Sequence, residues 1–153
     1  MDDMTREQRS RNMSRIRSTR TKPEDAVGKI LFAEGLRYRR NDGRYPGKPD
    51  FVFPKYKTIV FVNGCFWHQH EGCRYAAVPK SNPGYWLPKL ERNKARDLQN
   101  MTAMREMGWK VAVVWECAVK DINKGQMLKE LAESIMQGNA DGLELVGSTN
   151  PAL

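Results

Sequence analysis

The chain holds only two histidines and three cysteines in 153 residues. An odd cysteine count cannot pair completely, which excludes the disulfide framework of a small secreted scaffold and leaves metal binding as the better use of the thiols in a reducing compartment. No apolar run approaches the roughly 18 residues of a membrane span, which excludes a transmembrane helix. The opening MDDMTREQRSRNMSRIRSTRTK has no apolar core of the kind a secretory signal carries. It is basic and rich in Ser and Thr, as a transit peptide is, but Asp2, Asp3 and Glu7 argue against that use. A cytoplasmic protein is expected. Internal repeats and low-complexity linkers are also missing, so the length suits one domain with one core.

What is present is basic. The net charge is +8, and the excess is uneven. Residues 6–22 hold Arg6, Arg9, Arg11, Arg15, Arg17, Arg20 and Lys22 against Glu7 alone, and RYRRNDGRYPGK adds Arg37, Arg39, Arg40, Arg44 and Lys48. Such a field attracts polyanions by releasing their counterions. Basic faces can also be simply solvated. An anionic membrane fits less well, because no stripe of large apolar residues backs the charges at helical spacing.

Pattern along the chain predicts alternating elements. Residues 5–18 read as a polar helix, with Met13 and Ile16 too few to fold it alone, so it is expected to order on a partner. TKPEDAVGKILFAEG reads as a capped helix: Thr21 and Glu24 in a capping-box pattern, Pro23 in the first turn, Gly35 past the end. LRYRR alternates, PDFVF and TIVFV read as strands about a PKYK turn, and 63–83 is irregular. Residues 86–107 read as a helix with Leu87, Leu90, Lys94, Leu98, Met101 and Met104 along one face. WKVAVVWE is a second buried strand, 126–136 a final helix, and the rest a loose tail. This order suits a mixed sheet flanked by helices, an α/β fold.

The rare residues crowd into VNGCFWHQHEGCRY, just past a strand end, where loops of mixed sheets carry sites. Cys65, His70 and Cys73 offer soft donors at C-x4-H-x2-C spacing, and structural zinc takes four N or S ligands. Cys117, after the other buried strand, is the remaining cysteine and completes a Cys3His set. Free thiols acting as small hydrophobes are the competing reading. Spacing leaves open whether His68 or His70 is the ligand.

Asp50 opens a strand in GKPDFVF, and the following strand returns antiparallel beside it. A carboxylate there with a neighbouring backbone carbonyl suits Mg²⁺, which can polarise a phosphodiester. A neutral histidine nearby can take a proton from water. Glu24, Asn93 and Asp97 are further polar candidates, though capping explains Glu24 and solvation the other two. Phe66 and Trp67, with Trp86, are rings that can enter a duplex and unstack its bases, or else ordinary core.

The stretches RSRNMSRIRSTRTKPE, YPGKPDFVF, FVNGCFWHQHEGC, YWLPKLERNKARD and GWKVAVVWEC together resemble the very-short-patch repair (Vsr) endonucleases over nearly the whole domain. That resemblance implies a restriction-endonuclease-like core with a structural zinc site. It implies a Mg²⁺-dependent nick of one strand of double-stranded DNA, 5′ to the thymine of a T·G mismatch left by deamination of 5-methylcytosine. It assigns Asp50 and the Val62 carbonyl to Mg²⁺, His68 to water activation, and Cys65, His70, Cys73 and Cys117 to Zn²⁺. Phe66, Trp67 and Trp86 become the rings that enter the duplex, with Met13, Arg15 and Arg17 in a basic arm on the other groove. Glu24, Asn93 and Asp97 fall around the metal and its waters. On this reading residues 1–20 are an arm that orders on DNA, 21–137 the endonuclease domain and 138–153 a tail, in a monomer.

One position departs from the family. Where the pattern has His-Gly-Cys-Phe-Trp-His, this chain begins with Asn63. Asparagine donates hydrogen bonds but carries no charge at neutral pH. Intact DNA binding with weakened cleavage is the expectation, and a zinc-stabilised module that binds mismatched or bent DNA without cutting is the alternative.

Overall fold

The structure, a computed structural model, describes residues 21–147. The expected helix over 5–18 and the arm residues Met13, Arg15 and Arg17 lie outside that range. The first helix, α1 (Lys22–Ala33), starts where the sequence signals it. Thr21 Oγ1 accepts the Glu24 amide at 3.4 Å, and Pro23 stands where its missing N–H is not needed. Gly35, at φ +98°, lets the chain turn back so that the Leu36 amide reaches the Leu31 carbonyl. The reciprocal half of the capping box is put to another use: the Glu24 carboxylate, 3% exposed, turns to Arg40.

Five strands form one sheet in sequence order. They are β1 (Arg39–Arg40), β2 (Phe51–Phe53), β3 (Thr58–Asn63), β4 (Lys110–Trp115) and β5 (Glu144–Leu145). The first three are antiparallel; β4 runs parallel to β3, and β5 parallel to β4. The fold is thus a mixed sheet flanked by helices, as its pattern predicted. Between β2 and β3, PKYK makes a 3-10 turn that ends on Lys57 at φ 48°. The long helix α2 (Pro83–Glu106) begins three residues earlier than the apolar pattern suggested, and then come α3 (Glu116–Val119) and α4 (Lys124–Gln137).

Strand alternation sorts the core onto two faces. Phe51, Phe53, Val60, Ala112 and Val114 pack with α1, α3 and α4. Val52, Ile59, Phe61, Val111, Val113 and Trp115 face the other way, with Met104 of α2 and Cys65, Cys73 and Cys117. By the same alternation Asn63 falls on this second face, so the Cys/His loop and the polar residues of α2 share one side of the sheet.

Two expectations need correcting. The segment after α4 is no loose tail up to residue 147: Ala140 is fully buried and β5 pairs with Val113 and Val114. A two-residue strand is too short to alternate visibly, and it is held by an edge supplied from 31 residues away. The inward face of α2 also differs, since Leu87 and Leu98 are 52% and 64% exposed while only Leu90 and Met104 are buried. The helix turns Asn93 and Asp97 partly inward instead, because the surface it covers there is polar.

Candidate active site and metal centre

The loop after β3 winds in successive tight turns. The His68 amide bonds the Gly64 carbonyl at 3.1 Å, that of His70 the Cys65 carbonyl at 2.9 Å, and that of Cys73 the His70 carbonyl at 3.1 Å. Gln69, at φ 46°, sends its side-chain amide to the carbonyls of Phe66 and Ala76 and locks the winding. This path throws alternate side chains to opposite ends of the loop, and so separates the two histidines.

At one end, one donor atom each from Cys65, His70, Cys73 and Cys117 lies within 4.8 Å of all the others. His70 Nδ1 stands 3.7 Å from Cys65 Sγ and 3.5 Å from Cys117 Sγ. Ordinary Zn–S and Zn–N lengths would spread tetrahedral donors by about 3.6 Å, so the set fits a metal ion of that size. All three cysteines are buried, and burial pushes the Cys65 thiol well up from its usual value. A cation among the sulfurs is what would make thiolates stable there.

A surrounding shell fixes these donors. The Cys117 amide points at Cys65 Sγ, and the Gly147 amide at Cys117 Sγ, each at 3.4 Å. The His70 ring stacks on Trp115 at 4.1 Å with planes 6° apart, and Trp115 Nε1 donates to Glu144 at 3.0 Å. Gly147 presses so close that a Cβ there would stand 2.6 Å from the Cys117 carbonyl oxygen.

At the other end of the loop a cavity of about 610 Å³ is lined by Glu24, Asp50, Val62, Asn63, Trp67, His68 and Asp97, with Asn41, Lys48, Asn100 and Glu116 among the other walls. Asp50 Oδ2 accepts the Val62 amide at 2.6 Å, and Asn41 Nδ2 approaches Oδ1 at 3.4 Å. Burial, then the adjacent Glu24 carboxyl, push Asp50 up to about 8, with the Val62 amide opposing them. Arg40 sits behind Glu24 at 3.3 Å and also pairs with Asp25. Across the cavity, His68 Nδ1 meets Asp97 Oδ2 at 2.5 Å, and Asn93 Nδ2 holds the Trp67 carbonyl at 3.1 Å. At the rim, Phe66, Trp67 and Trp86 form a half-buried cluster with centroids 5.0 to 6.0 Å apart.

With this geometry in view, the likeness to known proteins is direct. The family model described as DNA mismatch endonuclease Vsr matches residues 1–74. The type II nicking enzyme V.NmeAIP of Neisseria meningitidis serogroup A is 51% identical over 120 residues, covering 78% of this chain and 85% of that one. The nicking enzyme V.XorIIP of Xanthomonas oryzae is 46% identical over 121 residues, covering 79% and 88%. The DNA mismatch endonuclease Vsr of Escherichia coli is 39% identical over 116 residues, covering 76% and 74%.

The chain belongs to the Vsr family.

It is therefore a DNA mismatch endonuclease, and the Cys/His cluster gives this Vsr-family chain a place to hold a metal. Among the described residues, no helix is long and apolar enough to cross a membrane. Of the residues singled out from sequence, the structure gathers Asp50, Val62, Asn63, His68, Glu24 and Asp97 around one cavity, and puts Asn93 behind it. It groups His70, not His68, with the cysteines. Sequence reasoning missed Asn41, Asn100 and Glu116 in the cavity wall and Glu144 and Gly147 at the metal cluster, and it counted Lys48 only within the basic field. It also missed Tyr85, 55% exposed beside Trp86, and Lys89 over the Trp67 and Tyr85 rings. Only Trp115 had a local signal, its place in VWEC.

Proposed function

We propose that this Vsr-family endonuclease nicks one strand of double-stranded DNA 5′ to the thymine of a T·G mismatch, with Mg²⁺ at Asp50 and the Val62 carbonyl and Zn²⁺ at Cys65, His70, Cys73 and Cys117. The observation that carries the reading is the meeting of a half-buried carboxylate and a carboxylate-paired imidazole across one cavity. Oxygen donors crowded until Asp50 prefers to be neutral are a donor set that a hard divalent cation suits. Bound there, Mg²⁺ would supply Lewis-acid stabilisation of the oxygens of the phosphodiester.

The residues themselves do the rest. Asp97 accepts a hydrogen bond from His68 Nδ1–H, which fixes the tautomer and leaves Nε2 free to take a proton from the attacking water. Asn93 steadies the loop through the Trp67 carbonyl, and Glu24, anchored by Arg40, shares the wall with Asp50. Phe66, Trp67 and Trp86 brace one another into a stiff wedge that can enter between bases, and the arm with Met13, Arg15 and Arg17 would grip the other groove. Asn63 adds no charge beside the reacting phosphate, so turnover is expected to be slow. The alternative of a binding module that does not cut is disfavoured by the His68–Asp97 pair, which binding alone does not need. The protein is proposed to act as a cytoplasmic monomer.

The test is a nicking assay on matched T·A and mismatched T·G duplexes, with Mg²⁺ and with EDTA, over a panel of flanking sequences. Single-strand cleavage of T·G duplex in Mg²⁺ alone supports the proposal. Equal cleavage of both duplexes refutes the mismatch specificity, and full activity in EDTA refutes the metal requirement. About one zinc per chain should survive desalting.

A further inference from the structure

The cavity wall has a charge imbalance. Glu24, Asp50, Asp97 and Glu116 all line it, and the substrate it must admit is itself an anion. Among the described residues only one lysine or arginine lines it, Lys48. Two neighbouring cations already pair with wall acids from behind, Arg40 with Glu24 and Lys120 with Glu116, and Arg44 is engaged with Asp42, so Asp50 and Asp97 are the wall acids that no lysine or arginine pairs with among the described residues. No ion pair among the described residues engages the exposed Lys48, while Asn63 offers no charge.

The backbone under Lys48 is held firmly although its side chain is not. Lys48 has φ 49°, a left-handed conformation that a non-glycine residue adopts at a cost and keeps where surroundings impose it. Its amide bonds the Tyr45 carbonyl at 3.1 Å. The preceding Gly47, at φ +78°, packs on Asn100 of α2 so tightly that a Cβ would stand 3.0 Å from that side chain. On the other side, Pro49 is buried, and the Asn41 amide bonds the Asp50 carbonyl at 3.1 Å. The loop is thus pinned to α2 and to the start of β2, two residues from Asp50, with a long cation left to reach into the cavity.

We propose that Lys48 binds the scissile phosphate, its ammonium contacting a non-bridging oxygen as that phosphate approaches Asp50 and His68. The inference rests on the nicking function above. Its work is to offset the acidic character of the cavity wall and to stabilise the added negative charge of the transition state. A lysine does this as a point charge and needs no bidentate geometry.

The experiment compares the parent with Lys48→Asn, which keeps a residue tolerant of the left-handed backbone, and Lys48→Arg, which keeps the charge. Single-turnover nicking of T·G duplex in saturating Mg²⁺ and DNA is read beside the salt dependence of binding in EDTA. Lys48→Asn is expected to slow nicking about 100-fold and to flatten the log–log salt slope by about 0.9, the mark of one lost phosphate contact. Lys48→Arg should keep the parental slope and most of the rate. A Lys48→Asn protein with the parental rate or the parental slope overturns the proposal. A parent that binds but does not nick mismatched DNA overturns the underlying function instead, and is seen in the same gel.

Discussion

The two ends of the loop after β3 sit on one face of one sheet and solve opposite problems. The Cys/His cluster is closed: its thiols are buried, its imidazole is covered by Trp115, and two backbone amides point at its sulfurs. The Asp50–His68 cavity is open, its acids crowded and its histidine paired on one nitrogen only. A centre that stabilises a fold has every donor aimed at one point. A centre that turns over substrate keeps unfinished coordination, so that a phosphate and water complete it. The contrast predicts that damage at the closed end costs folding, and damage at the open end costs rate.

The largest effect should come from Cys117→Ala. It removes a donor that ties the loop to the end of β4, at a loss on the order of several kcal/mol. Circular dichroism and metal analysis should show lowered zinc and a broad, early melt, with nicking lost in parallel. A fully folded, zinc-free variant would break the comparison. At the open end, His68→Ala should lower nicking by about 10²–10⁴-fold while mismatch binding and the melting temperature stay near the parent's. If melting fell with activity, His68 would belong to the closed class.

Gly147→Ala sharpens the closed side. The added methyl meets the Cys117 carbonyl, so urea melts should show a loss of about 1–3 kcal/mol and zinc should leave faster to a chelator. The smallest change expected is a gain. Asn63→His puts a chargeable ring in the cavity wall and should raise single-turnover nicking about tenfold with no change in zinc content. An unchanged rate at saturating Mg²⁺ and DNA would remove any role for charge at position 63.

Local chemistry was the legible part. C-x4-H-x2-C marked three donors because they lie within nine residues, and elimination then pointed to Cys117. Strand runs such as TIVFV and VAVVW were readable because their length and branching suit only a buried sheet. The long helix was readable in extent but not in orientation. Leu98 looked like core, and only the fold shows that Asp97 beside it turns toward His68. Glu24 was explained by capping when its carboxylate faces Asp50 and Arg40. Glu144 and Gly147 gave no signal at all, since each matters through a partner brought near by the fold: Trp115 across β4 and β5, Cys117 at the end of β4. Lys48 was legible only as one charge in a basic stretch, and its place in the cavity wall was not.

By itself the sequence determined the inventory: soft sulfur and imidazole donors, hard carboxylate oxygens, stiff rings, excess positive charge and an alternation of helix and strand. Those follow from residue chemistry and from periods of two to four residues, which are local. Spacing left the two histidines undecided and the family resemblance assigned them; the tertiary structure groups His70 with the sulfurs and pairs His68 with a carboxylate. Neighbouring side chains at 68 and 70 differ in nothing but the direction that a wound loop, held by long-range contacts, gives them.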